Sequence, residues 1–271
     1  MTDLDLPYTA VVTGASGGIG EQIARQLAGR GADLVLVART EAALEALAEE
    51  VRAAYGVTAH VIALDLSLPD AGERLEQAIS DLGVTVDVLV NNAGFGGFAE
   101  FWEQDPGEID RMLAVNVRVL TDLSRRFLPG MVDRQRGRVL NVASTAAFQP
   151  GPLMAVYYAS KAYVLSLSEA LHEELRGTGV TVTALCPGPV ETGFQAASKL
   201  ENSRLLDGPT RVLTMLPADK VAEIGVESML AGRAVAVAGR VNQVQVLLPR
   251  LLPRSVMTRV IATVQARRDA H

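Results

Sequence analysis

The feature that most constrains the fold is an alternation of short apolar segments with amphipathic ones. The segments TAVVTG (9–14), DLVLVA (33–38) and VDVLVNNAG (86–94) contain consecutive apolar residues, many of them valine. Such runs are typical of strands buried on both faces, and the helical segments between them supply the covering layers. The sequence therefore predicts an α/β fold with one doubly wound parallel sheet, in which ligands bind beyond the carboxyl ends of the strands.

The rest of the chain continues this pattern without a repeat or a linker. We predict further strands over 58–66, 137–144, 180–188 and 234–239, and helices over 20–31, 41–56, 107–133 and 155–177. We therefore expect a single domain over residues 1–240, followed by an extension over 241–271.

Composition limits the class of protein. The 271 residues are 49% hydrophobic, enough for one large core, yet no unbroken apolar run reaches about 18 residues, so we expect no membrane-spanning helix. The N-terminus is not typical of a secretory signal, and the single cysteine, Cys186, allows neither an intrachain disulfide nor a cysteine-based metal site. We expect a cytoplasmic protein without a metal, and the net charge of −6 argues against nucleic acid as its main partner.

A glycine-rich turn, TGASGGIGE (13–21), follows the first predicted strand and opens the first helix. Gly14, Gly18 and Gly20 would let the backbone approach a phosphate closely, and the helix N-terminus would attract it. The same spacing could form a tight strand–helix turn without a ligand. Its position after the first strand favours a dinucleotide site.

The end of the second strand indicates which dinucleotide. Ala38 and Arg39 stand where an acidic residue would bind a ribose 2′-hydroxyl. A guanidinium can bind a 2′-phosphate through paired, charge-assisted hydrogen bonds. Arg39 therefore predicts NADP(H), the alternative being a solvated arginine that opens a loop.

The segment AVYYASKAY (155–163) places two tyrosines before a lysine. Tyr157 and Tyr158 lie four and three residues before Lys161, and both spacings give neighbouring positions on a helix. A lysine ammonium beside a phenol favours the tyrosinate and would lower its pKa from about 10 towards neutrality. Spacing alone leaves both tyrosines as candidate acids.

Taken in order, several motifs resemble the short-chain dehydrogenase/reductase family, whose fold is a Rossmann-like doubly wound sheet. They are TGASGGIG (13–20), Asp65 in LDLS, NNAG (91–94), Asn116 in LAVNVRV, Ser144 in NVAST, YYASK (157–161) and PGPVET (187–192). The resemblance covers about residues 8–195, and the residues after the second strand look like the NADP-preferring branch.

The resemblance implies a catalytic tetrad of Asn116, Ser144, Tyr157 and Lys161. It selects Tyr157 as the proton donor to a carbonyl oxygen, with Ser144 bonded to the same oxygen and Asn116 anchoring a water that relays protons along Lys161. Tyr158 is then a packing residue. The cofactor residues implied are Gly14, Ser16, Gly17, Gly18, Ile19, Gly20, Arg39, Thr40, Asp65, Leu66, Asn92, Ala93, Gly94, Tyr157, Lys161, Pro187, Gly188, Val190 and Thr192.

Substrate contacts are expected from three segments. FGGFAEFWEQDP (95–106), with three Phe and the only Trp beside two glycines, follows the cofactor strand, and FQPGPLM (148–154) would supply another wall. Residues 193–217 fall where family members carry a variable lid. These linings favour a hydrophobic or acyl-type carbonyl compound over a free sugar.

The extension over 241–271 interleaves apolar residues with arginines. We favour its packing on the domain or on a partner subunit. A basic amphipathic segment can also cover the substrate pocket or lie on an anionic membrane.

The leading hypothesis is an NADP(H)-dependent oxidoreductase that reduces a ketone. The family resemblance implies a homodimer or homotetramer joined through the helices over 107–133 and 155–177. The alternatives are an oxidative dehydrogenase acting on a sterol, polyol or hydroxyacyl compound, and a non-catalytic NADP-binding sensor or scaffold.

Overall fold

The computed structural model describes residues 7–190, 215–251 and 253–266. Within them, seven strands form one parallel sheet in the order β3-β2-β1-β4-β5-β6-β7, as the doubly wound prediction requires. The strands are β1 (Thr9–Thr13), β2 (Asp33–Ala38), β3 (Ala59–Ala63), β4 (Val86–Asn91), β5 (Gly137–Val142), β6 (Val180–Cys186) and β7 (Val235–Val237).

Helices cover both faces of the sheet. They are α1 (Gly18–Ala28), α2 (Glu41–Tyr55), α3 (Ala71–Asp81), α4 (Pro106–Leu113), α5 (Leu120–Asp133), α6 (Ala155–Glu174), α7 (Ala218–Leu230), α8 (Arg240–Gln245), α9 (Leu248–Leu251) and α10 (Arg254–Val264). None of the helices in these described ranges is long and apolar enough to cross a bilayer.

The continuous apolar strands are explained by burial on both faces. On β1, Val12 packs into the core layer that contains Ile23 of α1, whereas Val11 packs into the opposite layer with Leu75 of α3 and Leu123 of α5. Because neighbouring residues of a strand point to opposite faces, both must be apolar here.

The predicted strands are all present, with ends that differ by up to three residues. The single helix predicted over 107–133 is instead α4 and α5 joined by a π-helical turn at Ala114–Val119. Helices α3 and α7 were not predicted. The π-helical turn centres on Asn116, whose contacts are described below.

Candidate active site

A cavity of about 900 Å³ lies beyond the carboxyl ends of the strands. The strand order reverses between β1 and β4, and the segments that follow these two strands both line the cavity. Such a reversal opens a crevice between loops that run to opposite faces of the sheet. The fold itself therefore places a binding site where the sequence predicts one.

The glycine-rich turn forms one wall of this cavity. Gly14 adopts φ +66°, and a Cβ there would lie 2.9 Å from the Cα of Ala93. A Cβ on Gly17 would meet no atom within 4 Å, and the Gly17 cap of α1 forms no side-chain hydrogen bond. The first N–H groups of α1 thus lie beside open space without a side-chain cap, a geometry that fits a dinucleotide pyrophosphate.

Ser16, Gly17, Gly18 and Ile19 line the cavity, but Gly20 does not. A Cβ on Gly20 would lie 2.3 Å from both the Gly14 carbonyl oxygen and Asn92 Nδ2. Gly20 therefore allows α1 to pack under the turn, and its contact with the cofactor stays a prediction.

Thr13 fixes the turn to the end of β4. Its hydroxyl donates to the Val90 carbonyl and accepts from the backbone N–H groups of Asn92 and Ala93, at 3.0–3.1 Å. The Asn92 amide donates back to the carbonyls of Thr13 and Gly14. Sequence reasoning missed Thr13, because only the cross-strand contact reveals its role.

One end of the cavity is polar and charged. Arg39 and Thr40 are exposed there beside Asp65 and Leu66, and Arg111 of α4 lines the same region. The pKa of Asp65 is lowered, chiefly by the backbone N–H of Ser67 and then by its hydroxyl and the charges of Arg39 and Arg111. Arg111 is a second cation at this end that the sequence did not indicate.

Tyr157 and Ser144 line the other end of the cavity. Ser144 follows β5, and Tyr157 lies in the first turn of α6. Burial raises the pKa of Tyr157 to about 12, and a hydrogen bond with Ser144 acts in the opposite direction. The phenol is therefore protonated at neutral pH.

Lys161 lies beneath Tyr157 and is 5% exposed. Its ammonium donates to the Val142 carbonyl at 2.7 Å and lies 5.9 Å from the centre of the Tyr157 ring. Burial lowers the pKa of Lys161 to about 8. We expected Lys161 to bring the pKa of Tyr157 towards neutrality, but in this structure burial raises that pKa instead.

Asn116 lies in the π-helical turn, is 1% exposed and does not line the cavity. Its amide exchanges two hydrogen bonds with the backbone of Phe95 and donates to Ser160 Oγ. A Cβ on Gly94 would lie 3.1 Å from Asn116 Oδ1 and 3.3 Å from Lys161 Nζ. Asn116 and Lys161 thus flank Gly94.

Tyr158 is held by packing. Its ring lies against Gly151, where an added Cβ would be 2.4 Å away, and its hydroxyl accepts from the side chain of Gln265. Burial raises its pKa strongly. The phenol that competes with Tyr157 in the sequence is therefore already bonded to another part of the chain.

The segment that follows β6 forms another wall of the cavity. Pro187, Gly188 and Val190 line it, and Gly188 approaches Asn242 of α8 so closely that a Cβ would lie 2.4 Å from the amide nitrogen. Val190 forms an isolated parallel bridge with Leu216. Thr192 and residues 193–214 of the predicted lid lie outside the described residues.

The remaining walls are mainly apolar. Phe95, Phe98 and Met154 line the cavity as predicted, while Phe101 and Trp102 are 59% and 79% exposed. The C-terminal extension forms a further wall, and the sequence alone did not decide between this position and its alternatives. Its contribution comprises Gln245, Leu248, Met257, Val260, Ile261, Val264 and Gln265.

Cys186 is the last residue of β6. Cys186 is buried, and burial raises its pKa to about 12, so its thiol is not activated. Within residues 7–190, 215–251 and 253–266, no group of three or more metal-ligating side chains is assembled.

The sequence matches the model of the family described as short chain dehydrogenase over residues 8–203. The chain belongs to the short-chain dehydrogenase family. The matched range includes the glycine turn, Asn116, Ser144, Tyr157 and Lys161.

Among curated members of the short-chain dehydrogenase family, the chain is 34% identical to a very-long-chain 3-oxoacyl-CoA reductase of Rattus norvegicus, over 89% of this chain and 75% of that protein. The two proteins are thus similar along most of the present chain.

Solved structures of the family give the same result. A short-chain dehydrogenase from Sphingobium yanoikuyae in complex with NADPH has a TM-score of 0.78 and 27% identity, covering 97% of this chain and 98% of that one. A 3-ketoacyl-(acyl-carrier-protein) reductase from Brucella melitensis complexed with NADH has a TM-score of 0.72 and 31% identity, and the match covers 86% of this chain and 95% of that one. Similar structures therefore hold either nicotinamide cofactor.

Proposed function

We propose that this oxidoreductase transfers hydride between NADP(H) and a carbonyl or secondary alcohol, and that it reduces a hydrophobic, acyl-type ketone. The observation that carries the proposal is that Tyr157 and Ser144 share one cavity with the glycine turn, with Lys161 buried beneath the phenol. That arrangement joins a dinucleotide site to a proton donor.

In this proposal the glycine turn, Arg39 and Lys161 would hold a nicotinamide dinucleotide, which would supply the hydride for the carbonyl carbon. Tyr157 donates its proton to the carbonyl oxygen, and the Ser144 hydroxyl donates a hydrogen bond to the same oxygen and fixes its position. The tyrosinate that remains is stabilised by the Lys161 ammonium and regains a proton by way of Lys161. Asn116 holds the backbone of Phe95 beside this path.

The preference for NADP(H) rests on charge. Arg39 follows β2 at the polar end of the cavity, where the family's NAD-binding acid is absent, and Arg111 lines the same end. Two guanidinium groups at this end favour a 2′-phosphate. A similar structure that holds NADPH supports the proposal, although another holds NADH.

The substrate class rests on the apolar walls. Phe98, Met154, Met257 and Ile261 pack around Tyr157 and leave an apolar volume next to the phenol. The rat relative's name, very-long-chain 3-oxoacyl-CoA reductase, favours a 3-oxoacyl thioester.

We also propose a homodimer or homotetramer joined through α5 and α6. Thr121 and Tyr163 form an exposed hydrogen bond of 3.0 Å between these two helices, and the Tyr163 ring is 39% exposed. Light scattering on wild-type protein and on Tyr163→Glu tests this assembly. A negative charge at position 163 should dissociate the oligomer, so the variant should have a lower mass than wild type.

The function is tested by an NADPH-oxidation screen over 3-oxoacyl thioesters of increasing chain length, simple aldehydes, steroid ketones and sugars. We expect the highest kcat/KM with long 3-oxoacyl thioesters and no NADPH oxidation with sugars. Rates that are equal across these classes, or that persist in Tyr157→Phe, would refute the proposal.

A further inference from the structure

Exposed apolar side chains are concentrated in the C-terminal extension. Of 14 large hydrophobic residues that are exposed in the described parts of the chain, seven lie within residues 241–264. We call these seven residues the C-terminal face. They are Val241, Val244, Leu247, Leu248, Val256, Val260 and Val264.

Helix geometry arranges part of this face as a stripe. Val256, Val260 and Val264 recur every four residues along α10 and therefore lie on one side of it. Met257 and Ile261 lie on the adjacent side and are buried against the domain. The helix is thus apolar on more of its circumference than the domain covers.

Charge is distributed unevenly along the chain. Residues 240–266 contain four arginines and no acidic residue, and Arg240, Arg254 and Arg259 are exposed. Residues 240–271 hold six of the 25 basic but one of the 31 acidic residues, which leaves 19 basic against 30 acidic residues before them. The extension is therefore a basic, apolar segment on an acidic protein.

We propose that the C-terminal face binds the surface of a lipid bilayer that carries anionic headgroups. Valine and leucine side chains would enter the interface while the arginines contact the headgroups, which is how basic amphipathic helices bind membranes. The helices lie on the bilayer and do not span it, in agreement with the length of those described.

A second copy of the chain fits this face less well. A symmetric contact brings the same patch of each subunit together, so the arginines of 240–266 would face arginines without an acid from either segment. An anionic bilayer satisfies both the charge and the apolar side chains.

The cavity opens towards the same face. Leu248, Val260 and Val264 belong to the C-terminal face and also line the cavity. Across the cavity, the wall segment 95–99 continues into Phe101 and Trp102, which are exposed, and tryptophan favours membrane interfaces. If the proposed function holds, a lipid-soluble ketone could pass from the bilayer into the cavity without crossing water.

The test is co-sedimentation of the full-length protein with vesicles, a measurement that needs no enzymatic activity. Vesicles of phosphatidylcholine alone are compared with vesicles that also contain phosphatidylglycerol, at low and high salt. We expect at least about tenfold stronger partitioning to the anionic vesicles, and a loss of that preference at high salt, because exposed charges are screened.

Variants locate the contact. Arg254→Glu combined with Arg259→Glu should lower anionic-vesicle partitioning at least about tenfold, and Val244→Glu combined with Val256→Glu should lower it as well. None of these four residues lines the cavity. The matched controls are Arg176→Glu and Leu82→Glu. Both residues lie just before strands, β6 and β4, and so at the amino ends of the sheet, away from the cavity and the C-terminal face, and these variants should bind as wild type.

The outcomes separate this proposal from the proposed function. Wild-type protein that stays in the supernatant, or variants and controls that lose binding equally, would overturn the membrane contact whatever the enzyme activity is. Dissociation of a dimer by Val244→Glu and Val256→Glu, without any vesicle binding by wild type, would assign the face to a second copy. Thermal melting of each variant establishes that it is folded.

Discussion

At the scale of single residues, the site is shaped by the burial of two ionisable groups that lie next to each other. Burial raises the pKa of Tyr157 to about 12 and lowers that of Lys161 to about 8. At neutral pH the Tyr157 phenol is therefore protonated and Lys161 is charged. Keeping a buried charge on Lys161 lowers the free energy of unfolding. Both effects follow from the apolar surroundings on α6 and β5.

The cost of burying Lys161 gives a pH-dependent prediction. The unfolded lysine titrates near its usual 10.5 and the folded one near 8, so between these values the unfolded state binds more protons and wild-type stability rises with pH. Lys161→Met has no such group. We expect its free-energy advantage over wild type to be largest below pH 8 and to shrink by about 3 kcal/mol as the pH approaches 10.5.

Urea unfolding of both proteins at pH 7, 8 and 9.5 measures this trend. Two stability profiles that run parallel over this range would show that Lys161 is solvated in the folded protein.

Arg39 carries the prediction about the cofactor. Arg39→Asp replaces a cation with a group that repels a 2′-phosphate, so kcat/KM with NADPH should fall at least about tenfold while that with NADH falls less or rises. Arg74→Asp, an exposed arginine outside the cavity, is the control. An unchanged NADPH to NADH ratio in Arg39→Asp would assign cofactor selection to Arg111 or to another group.

The two tyrosines show what the sequence could not predict about single residues. The spacing to Lys161 left both Tyr157 and Tyr158 as candidate proton donors, and only the family resemblance selected Tyr157. The structure adds that Tyr158 bonds Gln265, which is 107 residues further along the chain. A contact of that separation has no signature in the local sequence.

At the scale of elements, the glycine turn combines two different requirements. Gly17 borders open space, whereas Gly20 is in close contact with Gly14 and Asn92. Because a Cβ would meet a ligand in the first case and the protein in the second, the two glycines should respond oppositely to alanine.

We expect Gly17→Ala to unfold at nearly the wild-type temperature and to bind NADPH at least about tenfold more weakly. Gly20→Ala should lose about 1–3 kcal/mol of stability or more, because the added methyl overpacks the turn. Thermal melting and NADPH fluorescence titration measure the two effects. A Gly17→Ala variant with normal NADPH affinity would place the pyrophosphate elsewhere.

The elements were predictable to different degrees. Buried parallel strands were found from their apolar runs, since burial on both faces leaves a strong signal. The π-helical turn at Ala114–Val119 was not predicted, because such turns are rare and the contacts that Asn116 makes there, with Phe95 and Ser160, join residues distant in the sequence. The turn carries Asn116, and π-helical turns are frequent at functional sites.

At the scale of the whole molecule, the reversal of strand order brings the glycine turn, Ser144 and Tyr157 to one cavity. The order of the family motifs predicted this assembly. The position of the C-terminal extension could not be predicted, because Pro249 and Pro253 interrupt its helical pattern and leave the turns between its short helices undefined. Its packing on Tyr157 and Tyr158 joins the last part of the chain to the site.

The most direct test of the account compares Tyr157→Phe with Tyr158→Phe in single-turnover reduction of a 3-oxoacyl thioester, with NADPH affinity measured in parallel. We predict that Tyr157→Phe lowers the rate at least about 100-fold with nearly unchanged NADPH affinity, because it removes the proton donor. Tyr158→Phe should stay within about tenfold of wild type and lose about 1 kcal/mol of stability through Gln265. A Tyr157→Phe variant that turns over like wild type, or a larger rate loss in Tyr158→Phe, would contradict the account.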